Sequence, residues 1–167
     1  NFGNYLVRLG DGDTVPDKII LLDFGAVRDF PEDLLELARN FTKASVTRNK
    51  EMMLTAMNGF SFLDAMPLEV KNGISELFFL AVEPFTDLKD APPEAVTADG
   101  RYIWAKSNLH NRVMIKAAKS ASNRHFSVPP KELMFISRKF VGAYTFMTVI
   151  DAQVDGQKLL APFLAKF

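Results

Sequence analysis

The sequence predicts an α+β fold, mostly helical, with a β-hairpin at the N-terminus packed on a helical bundle. Three observations predict it. Two short apolar runs, "YLVRL" at 5–9 and "KIILL" at 18–22, flank the turn-rich segment "GDGDTVPD". Beyond residue 30 the apolar positions recur at steps of three and four, the mark of helices with one buried face. Strand signals lie at one end and helix signals everywhere else, so the elements are segregated rather than alternating.

The hairpin comes first. Gly10, Asp11, Gly12, Asp13, Pro16 and Asp17 make its loop longer than a two-residue turn. Pro31 suits a first helical turn, and Glu32 and Asp33 suit the positive end of a helix dipole. Leu34, Leu37, Ala38 and Phe41 continue that helix at buried-face spacing. A second helix is expected over 49–59, ending at Gly59, and a third from near Pro67 through "ISELFFLAVEPF", ended or kinked by Pro84. The stretch 86–100, "TDLKDAPPEAVTADG", reads as a linker. Helices over about 107–122 and 130–150 follow, separated by "SVPP", with a last short helix over 157–164. Met52, Met53, Met57, Phe78 and Phe79 read as core rather than as a cofactor pocket. The longest apolar run, "FVGAYTFMTVI" at 140–150, is about half the roughly 20 residues a membrane crossing needs and reads as a buried core helix.

Composition narrows the chemistry. With 167 residues the chain is one domain or one lobe of a larger one, and can bury roughly 70% of its unfolded surface. Lys plus Arg and Asp plus Glu stand at 20 each, so the total charge gives no nucleic-acid footprint. The absence of Cys excludes disulfides, thiolate metal sites and cysteine nucleophiles, and fits a reducing compartment. Neither Gly-x-Ser-x-Gly nor His-Glu-x-x-His occurs. A calcium loop starting at Asp11 fails because its sixth and twelfth positions are Pro16 and Leu22 where Gly and Glu are required. His110 and His125 have no metal-ligand spacing and read as surface residues. Arg112, Lys116 and Lys119 share a helical face, expected to be solvated, with anionic lipid headgroups as the alternative contact. Arg138 and Lys139 are expected to anchor the helix that carries them or to snorkel. The chain opens "NFGNYLV", with no basic segment ahead of an apolar one and no initiator Met, and is expected to be part of a longer protein.

The stretch "KIILLDFGAVRDF", 18–30, is the one that carries chemistry. Four aliphatics stop at Asp23, Phe24 and Gly25, two of which are strand-poor types. A carboxylate at a strand end, followed by a glycine that permits unusual backbone angles, is placed to hold a cation. Chance supplies about 0.03 Asp-Phe-Gly triplets in a chain this long. Asn4 precedes the hairpin, and the order Asn, hairpin, Asp-Phe-Gly is that of the two Mg²⁺ ligands in protein kinases.

On these residues the sequence resembles the AarF/UbiB family of atypical protein-kinase-like proteins, best known for supporting ubiquinone biosynthesis. "NFGNYLV…KIILLDFGAVRDFP" carries the resemblance over 1–31, and "VPPKELMFISRKFVGAY" extends it near the C-terminus. The resemblance implies the C-terminal lobe of a kinase-like domain, with 1–30 the metal and nucleotide hairpin and 31–167 a helical subdomain. Asn4 and Asp23 would be metal ligands. Leu6, Leu22, Phe24 and Gly25 would form the nucleotide side, with ATP and Mg²⁺ as cofactors. The expected catalytic base would stand two residues before Asn1, and the Lys–Glu pair and Lys-x-Gly-Gln segment would lie in an N-terminal lobe, so catalysis by this chain alone is not expected. The hairpin loop is longer than the family's, which reads as a surface insertion.

Only "AVRDF" separates Asp-Phe-Gly from Pro31, too little for an activation segment ending in Ala-Pro-Glu. A lipid or small-molecule acceptor, or ATP hydrolysis, therefore fits better than a peptide substrate. The partners implied are the chain's own N-terminal lobe, a membrane surface or lipid and a quinone-biosynthesis complex, with no nucleic acid. The implied place is the periphery of a bacterial inner membrane or the mitochondrial matrix face. Three other readings stay open: a small-molecule phosphotransferase of the aminoglycoside- or choline-kinase type, a non-catalytic nucleotide- or lipid-binding scaffold, and a helical interaction module with an accidental Asp-Phe-Gly.

Overall fold

A computed structural model describes residues 4–12, 14–23, 29–64 and 66–165. The chain is α+β and mostly helical, and divides into two units, Asn1–Pro31 and Glu32–Phe167.

The first unit is an antiparallel hairpin of β1 (Tyr5–Arg8) and β2 (Lys18–Leu21). Its register pairs Tyr5 with Leu21, Leu6 with Ile20, Val7 with Ile19 and Arg8 with Lys18. The Leu22 amide donates to the Asn4 carbonyl at 2.9 Å, which carries the ladder one step beyond β1. The connecting loop is held by its own acids. Asp11 Oδ1 accepts from the amides of Thr14 (2.8 Å) and Val15 (2.7 Å), and Asp17 Oδ1 accepts from the Gly10 amide at 2.8 Å. Gly10 is required there, because a Cβ would stand 1.6 Å from the Val15 carbonyl oxygen.

The second unit holds two cores. The first is built by α1 (Glu32–Val46), α2 (Lys50–Met57), α3 (Ser61–Asp64) and α4 (Leu68–Ala81). Ala44, Met53, Met57, Phe60, Leu63, Met66, Val70 and Ile74 are buried in it, and Leu34, Leu37, Phe41 and Phe79 pack on its edge. The helical spacing anticipated this core, with Met52 and Phe78 at its exposed margin. The expected helix over 49–59 stops at Met57, and α3 follows as a separate turn.

The second core gathers Ala91, Ala95, Tyr102, Trp104, Leu109 and Tyr144. The stretch 86–100, expected as a linker, forms one side of it. Two 3₁₀ turns, Leu88–Asp90 and Pro93–Ala95, bring Ala91 and Ala95 inward, and Val96 bridges to Tyr102. The physical reason is that Pro92 and Pro93 fix a compact path whose small apolar side chains fit under aromatic rings, a burial that leaves no periodic trace in sequence. β3 (Tyr102–Ile103) pairs antiparallel with β4 (Gln153–Val154) across fifty residues of chain. The expected helix over 107–122 forms as α6 (Leu109–Ala121), preceded by a separate turn, α5 (Trp104–Ser107); the two meet at Asn108, whose φ of 49° is a left-handed position that asparagine tolerates.

α7 (Lys131–Val149) occupies the expected position, but its second half is no buried core helix. Tyr144 is its one buried residue over 140–150, whereas Phe140, Val141, Val149 and Ile150 are exposed. α8 (Gly156–Leu164) closes the fold, with Asp155 as its cap. Gly156 is held against the turn at Pro84, where a Cβ would lie 1.9 Å from the Pro84 carbonyl oxygen. Among the described residues no helix is long and apolar enough to cross a membrane.

Candidate functional site

The hairpin brings the two side chains singled out by sequence together. Asn4 Nδ2 donates a hydrogen bond to Asp23 Oδ2 at 3.1 Å, across nineteen positions of sequence. The convergence has a local cause. Strand pairing sets Tyr5 against Leu21, the added bond sets Asn4 against Leu22, and Asp23 follows at the open end of the ladder. Asp23 is exposed and Asn4 half-buried, so the pair faces outward rather than into a core.

Strand alternation places the flanking apolar residues. Leu6 pairs with Ile20, and Leu22 pairs with Asn4, so all four side chains project from one face of the hairpin. Leu6 and Leu22 are each 53% exposed. Ile20, absent from the expected site, belongs to the same face. The period-2 pattern of "KIILL" contains that signal, because Ile20 and Leu22 are two apart. Phe24 and Gly25 lie outside the described residues, as does Asp13 in the loop.

Among the described residues no group of three or more His, Cys, Asp or Glu side chains is placed to enclose a metal ion. A carboxylate and a carboxamide oxygen form the kind of sparse donor set that Mg²⁺ accepts, since that ion keeps several waters and takes its remaining ligands from phosphate oxygens.

Arg112, expected on a solvated face of α6, is half-buried instead. Its guanidinium grips Glu83 with two bonds, Nη1 to Oε1 at 2.8 Å and Nη2 to Oε2 at 2.7 Å. Tyr102 Oη donates to the same Oε1 at 2.8 Å, and Glu83 is 2% exposed. Bidentate pairing with the Glu83 carboxylate raises the Arg112 pKa, outweighing the opposing effect of partial burial. Lys116 Nζ reaches Glu76 at 2.9 Å, an interaction that lowers the Glu76 pKa. Met114 and Ile115 point outward instead. His125 is exposed and accepts from Arg124 Nε at 3.0 Å. Lys139 stands 5.4 Å over the Phe135 ring.

No family model, curated protein or solved structure matches the chain.

Proposed function

We propose that this chain is part of an AarF/UbiB-like atypical kinase or ATPase, and that its hairpin presents Asn4 and Asp23 to a magnesium–ATP complex. The observation that carries the reading is the 3.1 Å contact between those side chains at the open end of the β-ladder. Asp23 Oδ and Asn4 Oδ1 are the atoms that would hold the ion. The metal supplies neutralisation of charge on the β- and γ-phosphates when bound. The face formed by Leu6, Ile20 and Leu22 offers apolar surface to an adenine ring.

The acceptor side follows from chain length. α1 begins at Glu32, so residues 26–31 are all that separate Gly25 from the first helix. That leaves no room for a peptide-binding activation segment, and favours an isoprenoid lipid, another small acceptor or water. A lipid acceptor would place the protein beside a membrane.

The test is magnesium-dependent ATP binding and turnover by the intact protein. Asp23→Asn is expected to lower magnesium–ATP affinity at least about tenfold and to abolish turnover, with Asn4→Leu losing less. Magnesium–ATP affinity and turnover that survive Asp23→Asn unchanged would overturn the proposal.

A further inference from the structure

The dipeptide Asn-Gly occurs twice in the chain, at Asn58–Gly59 and at Asn72–Gly73. Asparagine is a thermolabile residue, and a following glycine, having no Cβ, leaves its own backbone nitrogen open to approach. That nitrogen can attack the asparagine side chain, and the fold decides whether it gets there.

The two copies have opposite surroundings. Asn58 is the C-cap of α2, and both it and Gly59 are exposed. The Asn58 backbone is helical, with φ −66° and ψ −14°, which turns the Gly59 nitrogen away from the side chain. Two bonds hold that conformation. The Asn58 amide donates to the Thr55 carbonyl at 3.1 Å, and the Gly59 amide donates to the Ala56 carbonyl at 3.2 Å. Bonds in the last turn of a helix open at little cost, because helix ends fray.

Asn72 and Gly73 lie inside α4, between Val70 and Ile74, which are buried in the first core. Both are half-buried, and Asn72 Oδ1 is out of contact with solvent. A Cβ at Gly73 would meet Ser120 Oγ of α6 at 3.6 Å, so that side of the helix is covered. Freeing the Gly73 nitrogen means melting the middle of a helix that the core holds.

We infer that Asn58–Gly59 is a self-modification site of the folded protein, and that Asn72–Gly73 is shielded until the first core unfolds. The Gly59 nitrogen gives its proton to hydroxide and attacks Asn58 Cγ. The Cγ–Nδ2 bond breaks, and ammonia leaves with a proton taken from water, which restores the hydroxide. Water then opens the succinimide ring. Attack at Cγ gives aspartate, whereas attack at the main-chain carbonyl gives isoaspartate, whose backbone is one carbon longer. No oxidant or reductant takes part.

Either product acts on the first core. A new carboxylate at the C-terminal end of α2 opposes the helix dipole. The longer backbone of isoaspartate displaces Gly59, which lies against Leu37 with no room for a Cβ, and its neighbour Phe60, which is buried in the core. The inference rests on the helical unit alone and stands apart from the nucleotide proposal.

The test ages the intact protein at mildly alkaline pH in water labelled with heavy oxygen, then maps the peptides holding each dipeptide by mass spectrometry. Asn58 is expected to convert at least about tenfold faster than Asn72, with the label in the new carboxylate. In urea that unfolds the chain the two should convert at similar rates. Asn58→Gln, which cannot close the five-membered ring, gives a second arm. Ageing should lower the urea midpoint read by ellipticity in the unaltered chain and leave it unchanged in this variant. Equal conversion of Asn58 and Asn72 in the folded protein overturns the inference. So does an Asn58 that stays intact when folded but converts in urea, and so does a midpoint that falls as fast in Asn58→Gln as in the unaltered chain.

Discussion

The two cores of the helical unit are made of different material. The first gathers apolar side chains, with Met53, Met57 and Leu63 packed among Phe60, Val70 and Ile74, while the buried hydroxyls on its helices, Ser45 and Ser75, bond back to carbonyls of their own helix. The second surrounds a buried carboxylate. Glu83 receives Tyr102 and Arg112, nineteen and twenty-nine positions further along the chain, and Trp104 stacks edge-on between Tyr102 (5.6 Å) and Tyr144 (4.8 Å). An apolar core is held by a non-directional force roughly proportional to buried area, and tolerates small shifts of its members. A polar-centred core depends on geometry, because each buried charge must keep its partner.

Breaking that geometry should produce the largest effect. Arg112→Ala leaves Glu83 buried without a countercharge, and is expected to destabilise the fold by about 3 kcal/mol. Replacing the pair together, Glu83→Gln with Arg112→Met, should lose less than Arg112→Ala alone, since no charge is then stranded. Trp104, the one tryptophan of the chain, reports on the second core by fluorescence, while ellipticity at 222 nm reports on all helices. Urea denaturation followed by both probes separates the cores. A loss below about 1 kcal/mol for Arg112→Ala would place the pair among exposed ion pairs in energetic terms and erase the contrast.

Alkaline pH should divide the cores in the same direction. Burial raises the pKa of Tyr102, with the Glu83 carboxylate adding to the effect, and burial alone raises that of Tyr144. A raised folded-state value means the unfolded chain releases the proton first as pH climbs past about 10. Stability from these groups is complete below that pH and falls above it. The first core contains no tyrosine, so Trp104 fluorescence should change at lower pH than ellipticity. Absorbance at 295 nm should show these two phenols ionising only as Trp104 becomes exposed; ionisation with Trp104 still buried would contradict the expected burial.

The contrast also explains what could be read in sequence. Leu34, Leu37 and Phe41, and the methionines of α2, announce the first core because its contacts repeat every three or four residues. Glu83 and Arg112 are twenty-nine positions apart, and each by itself resembles a surface residue; nothing periodic links them. The pairing of Tyr102 with Val154 is invisible for the same reason, two residues being too short for a strand pattern. The burial of Ala91 and Ala95 depends on a path set by prolines rather than on hydrophobic spacing. α7 misled in the opposite direction, since its apolar content reads as core while the fold leaves Phe140 and Val141 uncovered. At the hairpin, the meeting of Asn4 and Asp23 was legible because a two-strand ladder with a turn between admits few registers. The same alternation puts Ile20 on one face with Leu22, a signal that "KIILL" contains.

The smallest expected effects come from the helix caps, and they sharpen the division most selectively. Asn49 Oδ1 accepts from the Met52 amide at 2.9 Å, securing the start of α2, which supplies Met53 and Met57 to the first core. Asp155 Oδ1 accepts from the Lys158 amide at 3.0 Å, securing α8, whose Gly156 abuts the Pro84 turn beside Glu83. Each cap bond satisfies one of the orphan amides of a helix start, and its loss on substitution by Ala is expected to cost about 1 kcal/mol. If the two cores open separately, Asn49→Ala should lower the urea midpoint seen by ellipticity more than that seen by Trp104, and Asp155→Ala should do the reverse. Equal shifts in both probes for both variants would show that the polar-centred and apolar cores melt as one cooperative unit, with the difference in their composition confined to how each tolerates substitution.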